Sequence, residues 1–226
     1  MILTVLPSVM NSGKKTKAKL EAQSIVTAIV QYDSVYSHFP VSAAAQNAAA
    51  GGDFTYGGTF QKADGTLALF GTSVGASILT NSEVISILMS LTNYPDGSGP
   101  TVNNGFVKNP QKTIFLNAKM TGDTSSPGVG ADLVYRDPWG NPYIITMDLN
   151  NDDNCWDAFY GQTNISSGGL NGLILQADNN GKPVYGYHGK VMVWSAGQPA
   201  LNGKPVLDVG SLATAGFNKK HVLSWQ

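Results

Sequence analysis

The feature that most constrains this chain is an apolar start that runs directly into a helical pattern. Residues 1–10 are almost wholly apolar, and a cluster of lysines follows at 14–19. Between 16 and 36, apolar residues recur every three or four positions, which places them on one stripe of a helix. The stripe contains Ala22, Ile25, Ile29 and Tyr32. The pattern predicts an opening helix of about nine or ten turns, ended by a proline at position 40.

The apolar lead does not fit a secretory signal or a complete membrane span. A secretory signal carries its charge before the apolar stretch, and a span needs about 20 apolar residues, roughly twice what is present. We therefore expect Ile2, Leu3, Val5, Leu6 and Pro7 to form the far end of a longer apolar helix, with a proline kink. Such a segment has no obvious partner within its own chain.

Composition excludes several functional classes. The chain has 226 residues and is 42% hydrophobic, which is too apolar for a disordered tail. Only 13% of its residues are charged, with 14 basic against 15 acidic, so no global field favours nucleic acid or an anionic membrane. A single cysteine, Cys155, excludes an intrachain disulfide framework and any zinc site built on cysteines.

Two further helices are predicted in the middle of the chain. Thr80 and Glu83 have the spacing of a capping box, ahead of a helix of about three turns that ends near residue 91. Asn109 followed by Pro110 is typical of a helix start. Residues 41–75 are rich in alanine and glycine with isolated aromatics, which indicates a loop with short strands.

After residue 130 the pattern changes to short β-type runs separated by turns. These runs lie at 133–135, 143–147, 173–175, 191–194 and 221–225. Helices followed by strands predict an α+β fold with a small antiparallel sheet. We divide the chain into an N-terminal helix at 1–40 and a head at 41–226. Within the head, residues 41–130 are predicted to form a helical and loop insertion, and 131–226 the sheet region.

The most distinctive stretch is a turn between two of these runs. It consists of Asp137, Pro138, Trp139, Gly140, Asn141, Pro142 and Tyr143. Asp-Pro begins a turn, Gly-Asn tolerates positive φ, and the second proline sets the entry into the next strand. The pattern favours a rigid structural corner over an aromatic ligand patch.

One loop has the alternating oxygen ligands of a calcium site. Asp148, Asn150, Asp152 and Asn154 occupy every second position. The match to an EF-hand is partial, because the glycine and the bidentate glutamate are missing, and a solvated loop is the alternative. Asp208 and Asn218 form a weaker candidate. We expect at most one Ca²⁺ and no other cofactor.

Catalytic patterns are weak, and the chain is not predicted to be an enzyme. Ser195 lies in a partial nucleophile elbow that lacks its first glycine, and a hydrolase would need His188 or His221 beside it. Acidic neighbours of Cys155 disfavour a reactive thiolate. A second alternative is an exported glycan-binding module with a platform of Trp139, Tyr143 and Trp194.

Several of these features together resemble a known family. The helix with a proline, followed by Tyr36 to Pro40, is similar to the N-terminal helix of type IV pilins and type II secretion pseudopilins. The stretch 137–143 (DPWGNPY) resembles the signature of the major, G-type pseudopilin, and 188–197 and 218–225 are similar to its last strands. With its large insertion, the chain is closest to the Verrucomicrobia and Planctomycetes type. The likeness covers residues 2–40 and 131–226.

The resemblance implies a pilin-like fold and a structural role. A subunit of this family is anchored in the bacterial inner membrane facing the periplasm, is processed by a prepilin peptidase, and polymerises with other pseudopilins on an inner-membrane assembly platform. Its apolar helix faces membrane or neighbouring subunits, while Ala22, Ile25, Ile29 and Tyr32 hold the helix to the head. A type IV pilus subunit in an extracellular filament is the alternative within the family. The family's calcium loop would correspond to 198–218, which offers one carboxylate, Asp208.

Overall fold

A computed structural model describes residues 5–168, 172–178, 180–199 and 206–226. The predicted α+β class is confirmed: one long helix packs on a head made of several small, mainly antiparallel sheets. The helices are α1 (Val5–Tyr36), α2 (Ala43–Ala48), α3 (Ser82–Leu88) and α4 (Thr163–Ser166), with 3₁₀ turns at Asn104–Phe106 and Asn218–Lys220.

The strands are short and are numbered in chain order. They are β1 (Phe54–Tyr56), β2 (Gly58–Lys62), β3 (Leu67–Phe70), β4 (Ser73–Val74), β5 (Ser77–Ile78), β6 (Gly128–Val129), β7 (Tyr135–Arg136), β8 (Ile144–Met147), β9 (Asn154–Cys155), β10 (Ile174–Ala177), β11 (Pro183–His188), β12 (Val191–Ser195), β13 (Val206–Leu207) and β14 (Val222–Leu223).

The central sheet has the order β1-β8-β12-β14 and is antiparallel throughout. Smaller sheets have the orders β10-β11-β9 and β13-β2-β3, the β13–β2 pair being parallel, and β4-β5 and β6-β7 are two-stranded. Because β1 belongs to the central sheet, the segment 41–130 is part of the sheet architecture and not only a helical and loop insertion.

Side-chain alternation along the central strands separates two hydrophobic cores. Ile145 and Val193 face a core that contains the α1 stripe and α3. Ile144 and Trp194 face a second core on the other side of the sheet. The sheet is therefore covered on both faces, by the helices on one and by the polypeptide at 155–168 on the other.

The opening helix is confirmed over its described length of 32 residues, about nine turns. Val5, Leu6 and Pro7 lie in its first described turn, whereas Ile2 and Leu3 lie outside the described residues. Within the described ranges, no helix is both long and apolar enough to span a membrane.

The capping box at Thr80 is wrong. The Thr80 hydroxyl pairs with the Ser82 hydroxyl at 3.0 Å, and the Glu83 carboxylate accepts the Tyr56 hydroxyl at 3.2 Å. Helix α3 runs over seven residues, about two turns instead of three. Its extension is prevented by Ser90, whose φ is +58°.

The helix predicted at Asn109 is also wrong. The Asn109 side chain binds Thr113 at both ends: its Oδ1 accepts the Thr113 N–H at 3.1 Å, and its Nδ2 donates to the Thr113 carbonyl at 2.7 Å. The same amide donates to the carbonyl of Ile87 at 3.1 Å. These side-chain bonds satisfy the backbone without a helix, and the N–H groups of Phe115 and Leu116 then donate to the carbonyl of Leu88 at 2.9 and 3.1 Å.

Candidate functional site

The candidate site is the junction between helix α1 and the head. Ala22, Ile25, Ile29 and Tyr32, the predicted packing residues, are all fully buried against the head. Ala18 extends the same stripe by one turn. The predicted stripe is thus confirmed as the surface that attaches the helix.

Polar groups reinforce this apolar contact. The Tyr143 hydroxyl donates to the Glu21 carboxylate at 2.7 Å, and Lys190, just before β12, forms an ion pair with Asp33 at 3.0 Å. At the Tyr143 end of the sheet, Lys19 donates to the carbonyl of Leu223 at 2.7 Å. Burial, with the charge of Glu21, raises the pKa of Tyr143 above its usual range. The tyrosine therefore stays protonated and serves as a donor.

The corner 137–143 is organised by the buried carboxylate of Asp137. It accepts the backbone N–H groups of Trp139 at 2.8 Å and Asn141 at 2.9 Å, and the Asn141 side-chain amide at 2.9 Å. The Ser195 hydroxyl also donates to it. Burial raises the pKa of Asp137 to about 6, although these hydrogen bonds act in the opposite direction.

The corner is joined to the chain reversal that follows β12. The Asn141 amide donates to the Gly197 carbonyl at 2.7 Å, and the Ser195 hydroxyl accepts the Gly197 N–H at 2.9 Å. Gly140 has a φ of +91°, and a Cβ there would lie 2.6 Å from the carbonyl oxygen of Ser125. The two segments singled out by the sequence resemblance are therefore one hydrogen-bonded unit.

Asn81 ties this unit to α3 and was not predicted from the sequence. Its side-chain amide donates to the carbonyls of Tyr135 at 3.0 Å and Tyr143 at 2.8 Å, and its oxygen accepts the Tyr135 N–H at 2.9 Å. Glu21 was missed in the same way, because its partner lies more than a hundred residues away. Asn81 is fully buried and Glu21 half-buried, and no local spacing in the sequence signals either role.

A second buried carboxylate, Asp157, organises the other core. It accepts the Thr146 hydroxyl at 2.6 Å, the Trp194 indole N–H at 3.0 Å and the Phe159 N–H at 2.9 Å. Burial raises its pKa, and these bonds oppose that effect. The neighbouring Cys155 is fully buried, and burial, followed by the charge of Asp53, raises its pKa well above the usual range. Both effects disfavour the thiolate, with burial as the larger cause.

The platform proposed for glycans is wrong. Tyr143 and Trp194 are fully buried, so neither can stack on an external ligand, and Trp139 is only partly exposed. Ser195 is likewise buried and donates to Asp137. His221 bonds to the Tyr160 hydroxyl at 2.9 Å, and His188 lies 3.0 Å from the carbonyl of Asp153. Within the described residues, neither histidine is hydrogen-bonded to Ser195, so the pair that the hydrolase alternative needs is not formed.

The predicted calcium loop is closed by its own polar groups. Asp148 accepts the Asp153 N–H at 2.8 Å, while Asp152 accepts the Asn154 N–H at 2.9 Å and the Asn150 amide at 2.9 Å. Asp53 lies beside these carboxylates, and its Oδ1 is buried without a hydrogen-bond partner. Burial, with the charges of Asp148 and Asp152, raises the pKa of Asp53 to about 8, although the hydrogen bond from the Trp156 N–H acts in the opposite direction.

In the weaker calcium candidate, the side-chain amide of Asn218 is hydrogen-bonded to the backbone of Asp208. Its oxygen accepts the Asp208 N–H at 3.1 Å and its nitrogen donates to the Asp208 carbonyl at 2.8 Å. In the part of the chain that the structure describes, no group of three or more His, Cys, Asp or Glu residues is placed to hold a metal ion. Calcium binding stays a prediction.

If the Asp148–Asp152 loop binds the one predicted ion, millimolar calcium raises the melting temperature. A dissociation constant of 0.1–1 mM, common for extracellular calcium modules, gives about 1–2 kcal/mol at roughly 5 mM calcium. The increase should be a few degrees, measured by scanning calorimetry against a chelator. Asp152→Asn keeps the side-chain shape and should reduce the response, whereas the exposed Asp96→Asn should not. An unchanged melting temperature would exclude a structural calcium ion.

Comparison of this chain with models of known protein families, with curated proteins and with solved structures finds no match.

Proposed function

We propose that this protein is a structural filament subunit, a pilin-like pseudopilin of the type II secretion kind, and not an enzyme. One observation carries the proposal: helix α1 continues beyond the head that it holds. Ala18 is fully buried, whereas residues 12–17 are all exposed. The preceding Val9 and Met10 are 62% and 63% exposed. From Val5 to Lys17 this projection is about 20 Å long.

The exposed apolar surface continues along the outer side of the helix. Leu20 is 60% exposed and lies between the buried Ala18 and Ala22 in sequence, hence on the opposite side of the helix. Val30 and Val35 are also about half exposed. The outer side thus carries exposed apolar side chains with polar residues between them. A helix that is buried on one side by its own head and exposes such a mixed surface on the other suits packing among copies of itself.

The head is attached firmly enough to transmit force. The α1 stripe, the Glu21–Tyr143 bond and the Lys190–Asp33 pair link the helix to β8, β12 and the corner. In a secretion filament, extension would push the head through this junction. The near-neutral charge reduces repulsion between neighbouring heads. In this proposal the precursor is processed by a prepilin peptidase and assembled at the inner membrane.

Cysteines on the outer side of α1 are expected to cross-link neighbouring subunits. The precursor carrying Val9→Cys and Leu20→Cys, expressed in the source bacterium and oxidised, should give a ladder of disulfide-linked multimers. The native Cys155 is buried and should not contribute. Lys62→Cys with Lys182→Cys, on exposed positions of the head, is the matched control and should stay largely monomeric.

The proposal fails if the helix variant gives no ladder, no filament sediments, and maturation is unchanged by loss of the prepilin peptidase. Fractionation separates the two filament types: a periplasmic filament supports the secretion pseudopilus, and a filament sheared from the cell surface supports a type IV pilus.

A further inference from the structure

A polar cleft lies in the head, outside the helix junction. Its volume is about 370 Å³. One wall is the segment from Trp156 to Asn164, and the other is the start of β11 with the turn before it, including Asp178 and Lys182. We propose that this cleft binds a neutral saccharide of one or two pyranose rings. The proposal does not depend on the filament function.

Trp156 is the tryptophan that lines this cleft. Trp194 is enclosed by aromatic rings, with the centroid of Tyr160 at 5.2 Å, and Trp225 packs on Tyr160 at the same distance. Within the described ranges, Trp156 has no aromatic ring packed against it, and it lines the cleft while partly exposed. An indole presents an apolar surface to the C–H groups of a sugar ring, which is the usual aromatic contribution to saccharide binding.

The orientation of Trp156 is fixed before any ligand binds. Its indole N–H donates to the Gln176 side chain at 2.9 Å, and its backbone N–H donates to Asp53. Its ring edge lies against Gly186, where a Cβ would approach the indole Cδ1 to 2.7 Å. A fixed aromatic side chain loses little conformational entropy on binding, which favours a weak, hydroxyl-rich ligand.

The polar side chains that line the cleft suit the hydroxyl groups of a neutral ligand better than a strongly charged ligand. Gln162 and Asn164 each donate their amide nitrogen to a carbonyl, that of Ala158 at 2.8 Å and that of Val209 at 2.6 Å, and among the described residues their oxygens stay available as acceptors. One carboxylate oxygen of Asp178 accepts the N–H groups of Asn180 at 2.9 Å and Lys182 at 2.8 Å, and within the described ranges the other oxygen accepts none.

The exposed Lys182 ammonium adds a donor and balances the charge of Asp178. Sugar hydroxyls both donate and accept, so they can use this mixture of acceptors and one donor. A polyanion would meet Asp178, and an apolar peptide would leave the polar lining without partners.

Gly161 holds the two walls at a fixed separation. Its N–H donates to the Asp157 carbonyl at 2.7 Å, and its carbonyl accepts the Tyr185 N–H at 2.9 Å. A Cβ at this position would lie 2.7 Å from the Asp157 carbonyl and 3.3 Å from the Val184 side chain. The cleft is therefore preformed, and its volume lies within the range of small-ligand sites.

Saturation-transfer NMR with soluble protein tests the proposal. Glucose, galactose and N-acetylglucosamine disaccharides are offered at roughly 10 mM, a concentration that detects millimolar binding. At least one should receive magnetisation, and titration calorimetry of that sugar should show about tenfold weaker binding for Trp156→Ala.

A second variant tests the cleft independently, in case Trp156→Ala loses binding because it does not fold. Thr163→Arg places a long side chain into the cleft from an exposed helical position and should abolish binding. Leu175→Ala, exposed on the neighbouring hairpin, is the control and should bind like the wild type. No transfer to any of the three sugars, or equal transfer to the wild type and Thr163→Arg, would overturn the proposal. Because the measurement needs no assembled filament, its outcome is independent of filament assembly.

Discussion

Gly197→Ala is expected to destabilise the head by about 4 kcal/mol, because two independent costs add at one position. Gly197 has a φ of +72°, which disfavours a side chain, and a Cβ there would overlap the carbonyl oxygen of Lys220. Its carbonyl also accepts the Asn141 amide, so moving it disturbs the corner. The melting temperature should fall by about 10 °C in scanning calorimetry.

Gly75→Ala is the matched control for this variant. Gly75 also has a positive φ, +60°, but nothing lies within 4 Å of an added Cβ. It should therefore show only the conformational cost of about 1–2 kcal/mol. Equal losses for the two variants would show that the contact between Gly197 and Lys220 does not contribute.

Asp137→Ala is the second large expected effect, a loss of about 3 kcal/mol of unfolding free energy. The substitution leaves the Trp139 and Asn141 N–H groups and the Ser195 hydroxyl buried without their acceptor. Asp137→Asn should fall between alanine and wild type, because its oxygen can still accept the two backbone groups. Denaturant unfolding measures all three proteins.

Asp123→Ala is the control for the removal of a turn carboxylate. Asp123 accepts two backbone N–H groups and two serine hydroxyls, as in a similar turn, but it is exposed to water. Water can replace its hydrogen bonds, so its loss should be much smaller than that of Asp137. A comparable loss would show that burial of the Asp137 network is not decisive.

The Asp137 effect should also depend on pH. Because burial raises the folded-state pKa to about 6, above the unfolded value near 4, protonation favours the folded state. This contribution is fully present below pH 4 and is lost as the pH rises through 6. The difference between wild type and Asp137→Ala should therefore widen as the pH falls from 7.5 to 5. A gap that narrows on acidification would contradict the raised pKa.

Local sequence patterns correctly predicted the helices, strands and turns that are determined by short-range interactions. The stripe from Ala22 to Tyr32 defines the buried side of α1 because helical spacing alone brings those side chains together. The strands at 143–147 and 191–194 were located to within one or two residues, since alternation and flanking turns mark them. The turn chemistry of 137–143 likewise indicated a structural corner.

The errors arose where a side chain binds a distant part of the chain. Asn109 has the sequence of a helix start, yet its bonds to Thr113, Ile87 and Tyr36 keep the segment extended. Thr80 and Glu83 have capping spacing, but Glu83 binds Tyr56 instead. In both cases tertiary hydrogen bonds outweighed a local preference of about 1 kcal/mol.

By itself, the sequence determined that a long helix with one buried side precedes a small α+β head, because spacing and turn residues act over a few positions. Only the tertiary structure decided what surrounds each aromatic and polar side chain. It buried Tyr143 and Trp194, left Trp156 at a cleft, and placed Glu21 and Asn81 against the corner. Burial depends on which distant segments pack together, and that is settled by the whole core and not by neighbours in the chain.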